Sequence, residues 1–566
     1  MSGEGDAFTS SGLVISLPVL RMKPFQMTYI EFDNPAKRPC QYPGWHLFIR
    51  SLCFLLALWV SVAGAQEREG ISDAEVTALA NRAMSEFDVP GMAIGIVKDE
   101  KILLAQGYGV REIGKPEKVD SETLFKIASN SKAFTTAALA VLVDEGLISW
   151  DGLVIDYIPE FRMKDPWVTA NFTVKDLLTH RSGLAPFVGD MLLWPEPNAF
   201  VVTDIIYALR FFEPVSSFRT KYAYDNQLYI VAGEIIPRVT GQSWGEFVES
   251  RIMRPAGMKH CFASRIPNRK MRNLATPHGV IEGQLSVIER SRILSQPPIY
   301  AAAGGVICSL EDMLIWVRTQ LKQGTTPKGL ELFSNAQSRE MWKPQIMLGV
   351  SERDYEMNRT HFRAYGLGWR LADVHGFKEV SHTGSIAGWR SYVVLVPELE
   401  LGVVLLTNGS SSAARSSVMS TIVRSFMPVE QVDWIQMVLD ETEAAQQSDQ
   451  LEPIDEVLVE TDRESGDIPS LPLFAGLYRD PWFGDININL ENGHLVFSAV
   501  KSPKFKGVMH HHDGNRFVVR WTDRTVELDA YVLFEMDRNG RVNGISMTKM
   551  GDRGFDFEDL NLKKVD

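Results

Sequence analysis

Leu124-Phe125-Lys126-Ile127-Ala128-Ser129-Asn130-Ser131-Lys132 is the stretch on which the reading of this chain turns. A strand-like Leu124 to Ile127 leads into a serine. A run rich in Ala and Leu then continues to Gly146, which predicts a helix from about Ser129 to Glu145. Serine and lysine three residues apart share one helix face, one turn from each other. At a helix N-terminus the dipole favours negative charge on the serine oxygen. A lysine in that position takes the serine proton once burial and a nearby cation lower its pKa. Alone, Ser-x-x-Lys is common and reads equally well as an N-cap serine beside a solvated lysine.

Two further motifs give it company. Tyr224-Asp225-Asn226 stands just before a helical pattern from Gln227 to Val239. A tyrosine beside Lys132 can share its proton, and an asparagine two residues on can bond both the lysine and a substrate amide. His382-Thr383-Gly384-Ser385 ends a strand before Trp389. Such an edge holds an extended substrate by main-chain bonds, and glycine permits close approach. The N–H groups of Ser129 and Ser385 would form an oxyanion hole. Taken singly, these are also a buried tyrosine, a helix-start asparagine and a structural histidine.

In this order the three motifs resemble the serine β-lactamase and penicillin-binding protein superfamily. The likeness is closest to its class C-like branch of D-aminopeptidases, D-Ala-D-Ala carboxypeptidases and esterases. Leu177 to Leu184, Pro255-Ala256-Gly257-Met258, Ala302-Ala303-Gly304-Gly305 and Tyr365-Gly366-Leu367-Gly368-Trp369 carry the same likeness, which runs from about Ser72 to Phe426. The resemblance implies Ser129 as acylated nucleophile and Lys132 and Tyr224 as proton carriers. Asn226, His382, Thr383, Gly384 and Ser385 would bind substrate, with no metal and no cofactor. It implies an exported serine hydrolase forming an acyl-enzyme on amide or peptide bonds, with D-amino-acid peptides or β-lactam-like compounds as substrates. A carboxylesterase, or a penicillin-binding protein with little turnover, is the alternative. One departure matters: efficient class C β-lactamases carry lysine where this chain has His382. Histidine is mostly neutral at pH 7, so the sequence favours a peptidase or amidase over an efficient β-lactamase.

Around the motifs, periodicity predicts helices at Ser72–Phe87 and Ser412–Phe426. Strands are expected at Gly91–Lys98, Lys101–Gly107, Ser391–Val396 and Leu401–Thr407. The expected fold is α+β: early and late strands pair in one antiparallel sheet, its two helices on one face and a helical subdomain on the other. Short alternating runs at Gly484–Leu490, His494–Ala499, Arg516–Trp521, Ala530–Met536 and Val542–Lys549 predict an all-β barrel over residues 471–566, which resembles the lipocalin-like domains attached to some of these hydrolases. The expected domains are thus residues 66–430 and 471–566. Between them, residues 431–470 carry twelve acids and one base, a net -11 of the chain's -13, and read as a solvated acidic linker.

With 566 residues, 45% hydrophobic and 23% charged, the chain is globular and long enough for two domains. Its acidity excludes a nucleic-acid partner. Ser51 to Ala65 is an apolar run ending Ala63-Gly64-Ala65, which predicts a signal peptide over residues 1–65, cleaved after Ala65, and a periplasmic or secreted protein without a stable membrane span. Met22 or Met27 are alternative starts. Cys261 and Cys308 are readable as one disulfide or as two buried thiols. Consecutive His510-His511-His512 point to alternate faces of a strand and do not converge on a metal. The expected partner is a small molecule or short peptide, and a homo-oligomer is compatible with the composition.

Overall fold

The computed structural model describes residues 70–289, 298–448, 470–526, 528–551 and 555–565. The expected signal peptide, residues 1–65, lies outside them. Strands β1 (Gly91–Lys98) and β2 (Lys101–Gly109) form a hairpin. At its turn Asp99 and Glu100 both have positive φ, 48° and 62°, as a type I′ turn requires. Six later strands complete the sheet: β3 (Ile346–Leu348), β4 (Arg363–Tyr365), β5 (Arg370–Val374), β6 (Phe377–Ile386), β7 (Trp389–Val396) and β8 (Leu401–Thr407). The order is β2-β1-β8-β7-β6-β5-β4-β3. The join between early and late strands is β1 antiparallel to β8, from Met92↔Thr407 to Lys98↔Leu401.

Six longer helices matter for the site: α1 (Asp73–Glu86), α2 (Ser131–Asp144), α3 (Gln227–Thr240), α4 (Leu310–Leu321), α5 (Ser412–Ser425) and α6 (Trp434–Ser448). Ser72 and Glu75 cap α1 reciprocally, and Val76, Ala80 and Ala83 turn its apolar stripe inward. With α5 it covers one face of the sheet, and α4 packs on the other. Every residue of β8 is therefore buried, which explains its unbroken apolar run. Gly402 makes room for α4, since a Cβ there would lie 2.1 Å from Val317.

The acidic stretch differs from the linker its charge suggests. Its first half is α6, packed on α5 with Trp434 and Ile435 buried, while Asp440, Glu441 and Glu443 are exposed. The count of acids hid an amphipathic pattern. Beyond it, β9 (Gly476–Asp480), β10 (Gly484–Glu491), β11 (His494–Ala499), β12 (Lys506–Asp513), β13 (Arg516–Trp521), β14 (Ala530–Met536), β15 (Val542–Lys549) and β16 (Leu562–Val565) close into an antiparallel barrel. Phe474, Phe497, Phe517, Trp521 and Phe534 pack in its core. The three histidines lie on β12. Among the described residues no three His, Cys, Asp or Glu side chains group as metal ligands, and no helix is long and apolar enough to cross a membrane.

Cys261 and Cys308 are joined in a disulfide. They face each other on neighbouring short strands, and the strand of Cys308 also pairs with Leu124–Lys126, which leads into Ser129. A loop of this separation, 47 residues, corresponds to about 4 kcal/mol in the chain-entropy account. Replacing both cysteines by alanine is expected to lower stability by about 2–4 kcal/mol, read from denaturant unfolding as a lower midpoint with a steeper slope, because the freed chain exposes more surface when unfolded.

Candidate active site

Ser129 stands in a tight turn, Ala128–Asn130, and α2 begins at Ser131, two residues later than the sequence suggests. Ala128 holds a φ of 46°, a conformation that costs a residue with a Cβ about 1–3 kcal/mol. The rest of the motif pins it. Asn130 Nδ2 donates to Ser391 Oγ (2.7 Å), which donates to the Ile127 carbonyl (2.6 Å). Ser131 Oγ donates to the Ala128 carbonyl (2.7 Å) and accepts from Val306 N–H (3.0 Å).

Lys132 is wholly buried. Its Nζ lies 2.8 Å from Asn226 Oδ1, 2.9 Å from the Ala303 carbonyl and 3.3 Å from Ser129 Oγ. The first two groups only accept, so they hold two N–H bonds and leave the third direction to the serine. Burial, aided by the Arg370 charge and opposed by Asp190 and Asp225, pushes its pKa down to about 7. The neutral amine then aims its lone pair at Ser129 Oγ. Its Nζ also sits over the rings of Tyr224 and Tyr229, 4.8 and 5.2 Å from their centroids.

The Tyr224 hydroxyl bonds the Ser129 side chain, and burial holds its pKa well above the ordinary phenol value. Asp225 caps α3, accepting from Gln227 N–H (2.8 Å) and Leu228 N–H (3.3 Å). Buried His180 supports the segment: its Nδ1 accepts from Asp225 N–H at 3.0 Å and its ring lies 4.2 Å from that of Tyr224. Asn226 has a different second partner from the substrate amide that the sequence suggests. Its Nδ2 donates to Asp190, 2.9 Å from Oδ2. Burial raises the pKa of Asp190 well above the carboxylate range.

Strand β5 pairs with β6 only as far as Ser381, so beyond it β6 has no partner strand on that side among the described residues. Gly384 lies against the nucleophile turn: a Cβ there would stand 2.2 Å from the Ile127 carbonyl oxygen and from Ser391 Oγ. Ser385 is exposed, and its Oγ accepts from Arg415 (3.0 Å). His382 departs from its expected contact with substrate. Its ring is fully buried, with Nε2 3.0 Å from the Tyr365 hydroxyl and Nδ1 2.7 Å from the Thr383 carbonyl. Burial and the Arg370 and Lys132 charges hold its pKa well below the usual histidine value. Two arginines flank the motif, Arg415 and, on the cavity side, Arg370, whose Nη1 donates to Thr383 Oγ1 at 3.0 Å. It also bonds Tyr222 and lies 5.8 Å from the Tyr224 ring, and among the described residues it has no carboxylate partner.

These groups surround a cavity of about 490 Å³ lined by Ser129, Tyr224, Asn226, Arg370, Thr383 and Ser385. The chain between Pro186 and Phe200 forms another wall, through Phe187, Asp190 and Trp194. The barrel holds that chain in place. Ala199 N–H donates to the Lys501 carbonyl (2.8 Å), Lys501 pairs with Asp204 (3.0 Å), and Phe200 packs on Phe483. Phe555, Asp556 and Asp559 join Phe187, Asp190 and Trp194 around an adjoining cavity of about 250 Å³. Asp190, His180 and Arg370 escaped the sequence reading as site residues. Arg370 follows directly on the Tyr365–Trp369 segment, where an arginine closing an apolar run was the available signal.

A family model described as Beta-lactamase matches residues 76–425, and one described as Domain of unknown function (DUF3471) matches 462–564. Unguisins hydrolase ungD of Aspergillus violaceofuscus is 25% identical over 435 residues, 72% of this chain and 75% of its own. Unguisins hydrolase ungD' of Aspergillus campestris is 26% identical over 350 residues, 60% of this chain and 62% of its own. Protein flp of Staphylococcus aureus is 24% identical over 347 residues, 60% of this chain and 64% of its own. The chain thus spans less than two thirds of the length of the last two. The octameric penicillin-binding protein homologue from Pyrococcus abyssi superposes with a TM-score of 0.55 at 19% identity, over 87% of this chain and all of that one, a likeness of fold.

The contact at Gly384 makes a direct test of the packing. Gly384→Ala is expected to lower stability by about 1–3 kcal/mol, the cost of overpacking, measured by chemical denaturation.

Proposed function

The chain belongs to the β-lactamase family, and on that premise we propose that it is a serine hydrolase that carries the acyl group of an amide or peptide on Ser129 and releases it to water. The observation that carries this reading is the buried Lys132 amine, 3.3 Å from Ser129 Oγ, with its pKa brought down to about 7. Neutral Lys132 takes the proton as Ser129 Oγ forms its bond to the substrate carbonyl carbon. The carbonyl oxygen gains the negative charge, and the N–H groups of Ser129 and Ser385 stabilise it. Tyr224, kept protonated by burial, gives its proton to the leaving nitrogen and regains one from Lys132. The C–N bond breaks and the acyl-enzyme remains. Water then attacks, its proton passing to the same pair, and Ser129 leaves with a proton restored. Asn226 holds Lys132 in place throughout.

Arg370 points to the substrate. A cavity-lining guanidinium without an acidic partner, next to Thr383 and the proton donor Tyr224, suits a carboxylate on the leaving side. That supplies the charge that neutral His382 lacks. It favours a peptide ending in a free carboxylate over a neutral ester, and leaves β-lactams, which also carry a carboxylate, as slower substrates. The assignment of the three motifs to the class C-like branch and of the barrel to a lipocalin-like type belongs to this proposal. So does export to the periplasm or beyond, which the Cys261–Cys308 disulfide supports. The octameric relative makes a homo-oligomer the assembly to look for.

A labelled fluorophosphonate is expected to add to Ser129 alone, and Ser129→Ala to abolish both label and turnover. Label elsewhere would overturn the reading. Because Lys132 acts unprotonated, kcat/KM for a neutral ester is expected to rise through about pH 7 and to be lost below it. Lys132→Arg, always charged, should remove that rising limb and about 10²–10⁴ of the rate. Arg370→Gln should raise KM about 10- to 100-fold for peptides with a free C-terminal carboxylate, the equivalent of one charge-assisted bond, and leave the KM of amide-capped peptides unchanged, while the rising limb of the pH profile moves up for both as Lys132 loses the neighbouring charge.

A further inference from the structure

A second cavity, of about 610 Å³, lies between strands β5–β7 and helices α5 and α6. It is larger than the catalytic cavity and within the range of small-molecule sites. Two of its charged groups are deeply buried: Glu379 is 9% exposed and Arg424 6%. Neither has an oppositely charged partner among the described residues, and no ion pair joins them. Glu379 has no hydrogen-bond partner there either. Arg424 donates from Nη2 to Asn358 Oδ1 (2.6 Å) and stacks on Trp434, while its Nε is buried and unbonded. The other charged groups in the lining are engaged: Arg353 with Glu441, Arg363 with Asp354 (2.6 Å) and Arg370 with Thr383. Neither charge is answered by an oppositely charged group among the described residues, so both are available to a ligand in the cavity.

We propose that this cavity is a second binding site, for a zwitterion of amino-acid or dipeptide size. Glu379 takes its ammonium group and Arg424 its carboxylate. The hydroxyls of Ser416, Ser420 and Tyr392, which also line the cavity, meet the polar atoms between. Arg370 and Thr383 line both cavities, so an occupant here is felt at the catalytic pocket. The site stands apart from the proposed reaction and does not need it.

The experiment is calorimetric titration of the Ser129→Ala protein with alanine and alanyl-alanine, against propylamine and propionate, which each carry one of the two charges. Saturable binding of a zwitterion is expected, at least about tenfold tighter than either singly charged analogue. Glu379→Gln and Arg424→Gln should each weaken it about tenfold or more. Should either variant fail to fold, Ser416→Leu, which fills the cavity from α5, has to abolish binding. Absence of saturable binding, equal affinity for propionate and alanine, or affinity unchanged in a folded variant would each overturn the proposal.

Discussion

A lysine amine enclosed entirely by protein is the constraint on which the rest of this structure depends. Lys132 is wholly enclosed, and a buried amine needs its N–H bonds answered by the protein. Two acceptors supply them, Asn226 Oδ1 and the Ala303 carbonyl, from segments far apart in the chain. Each must itself be held. Asn226 is steadied by Asp190, and the Tyr224–Asn226 segment is steadied by His180 and by the cap that Asp225 places on α3. The helical layer is therefore organised around one nitrogen atom. The strained turn at Ala128 follows from the same demand, because it brings Ser129 Oγ into the one direction that the two acceptors leave open.

What local pattern decides was legible in the sequence. Ser129, Lys132 and Tyr224 converge as their spacing and types suggest, and the hairpin at Asp99-Glu100, the early–late strand pairing and five barrel strands follow from alternation and turn residues. What escaped was set by tertiary packing. Asp190 lies in a stretch without periodicity and earns its place only by meeting Asn226 across the cavity. His382 is a hydrogen-bonding residue on a strand, and nothing in its neighbours tells that Tyr365 will claim its outer nitrogen. The run of β12 is not among the expected ones, because His510-His511-His512 breaks the apolar alternation, although the histidines themselves read as strand residues. The acidic stretch misled for the opposite reason: charge was counted, while Trp434 and Ile435 decided the packing.

The sheet has two chemically different faces. Towards α2 and α4 it is dry and apolar, and the catalytic groups gather at the margin of that face. Towards α5 and α6 it combines an apolar cluster with arginines, serines and a carboxylate. Thr383 and Arg370 stand where the two meet, at the point where β5 stops pairing with β6. A single break in strand pairing thus serves both faces: it frees the edge of β6 and lets one guanidinium reach around it.

The barrel's grip on the chain between Pro186 and Phe200 has a consequence for how such a molecule diversifies. Neither the serine turn nor the sheet has to change for the pocket to change shape, because Phe555, Asp556 and Asp559, more than 400 positions after Ser129, back the wall of Phe187, Asp190 and Trp194 from the adjoining cavity. Drift in the barrel's loops is therefore drift in selectivity, with the reaction machinery left intact. The appendage acts as an adjustable die set against a fixed punch.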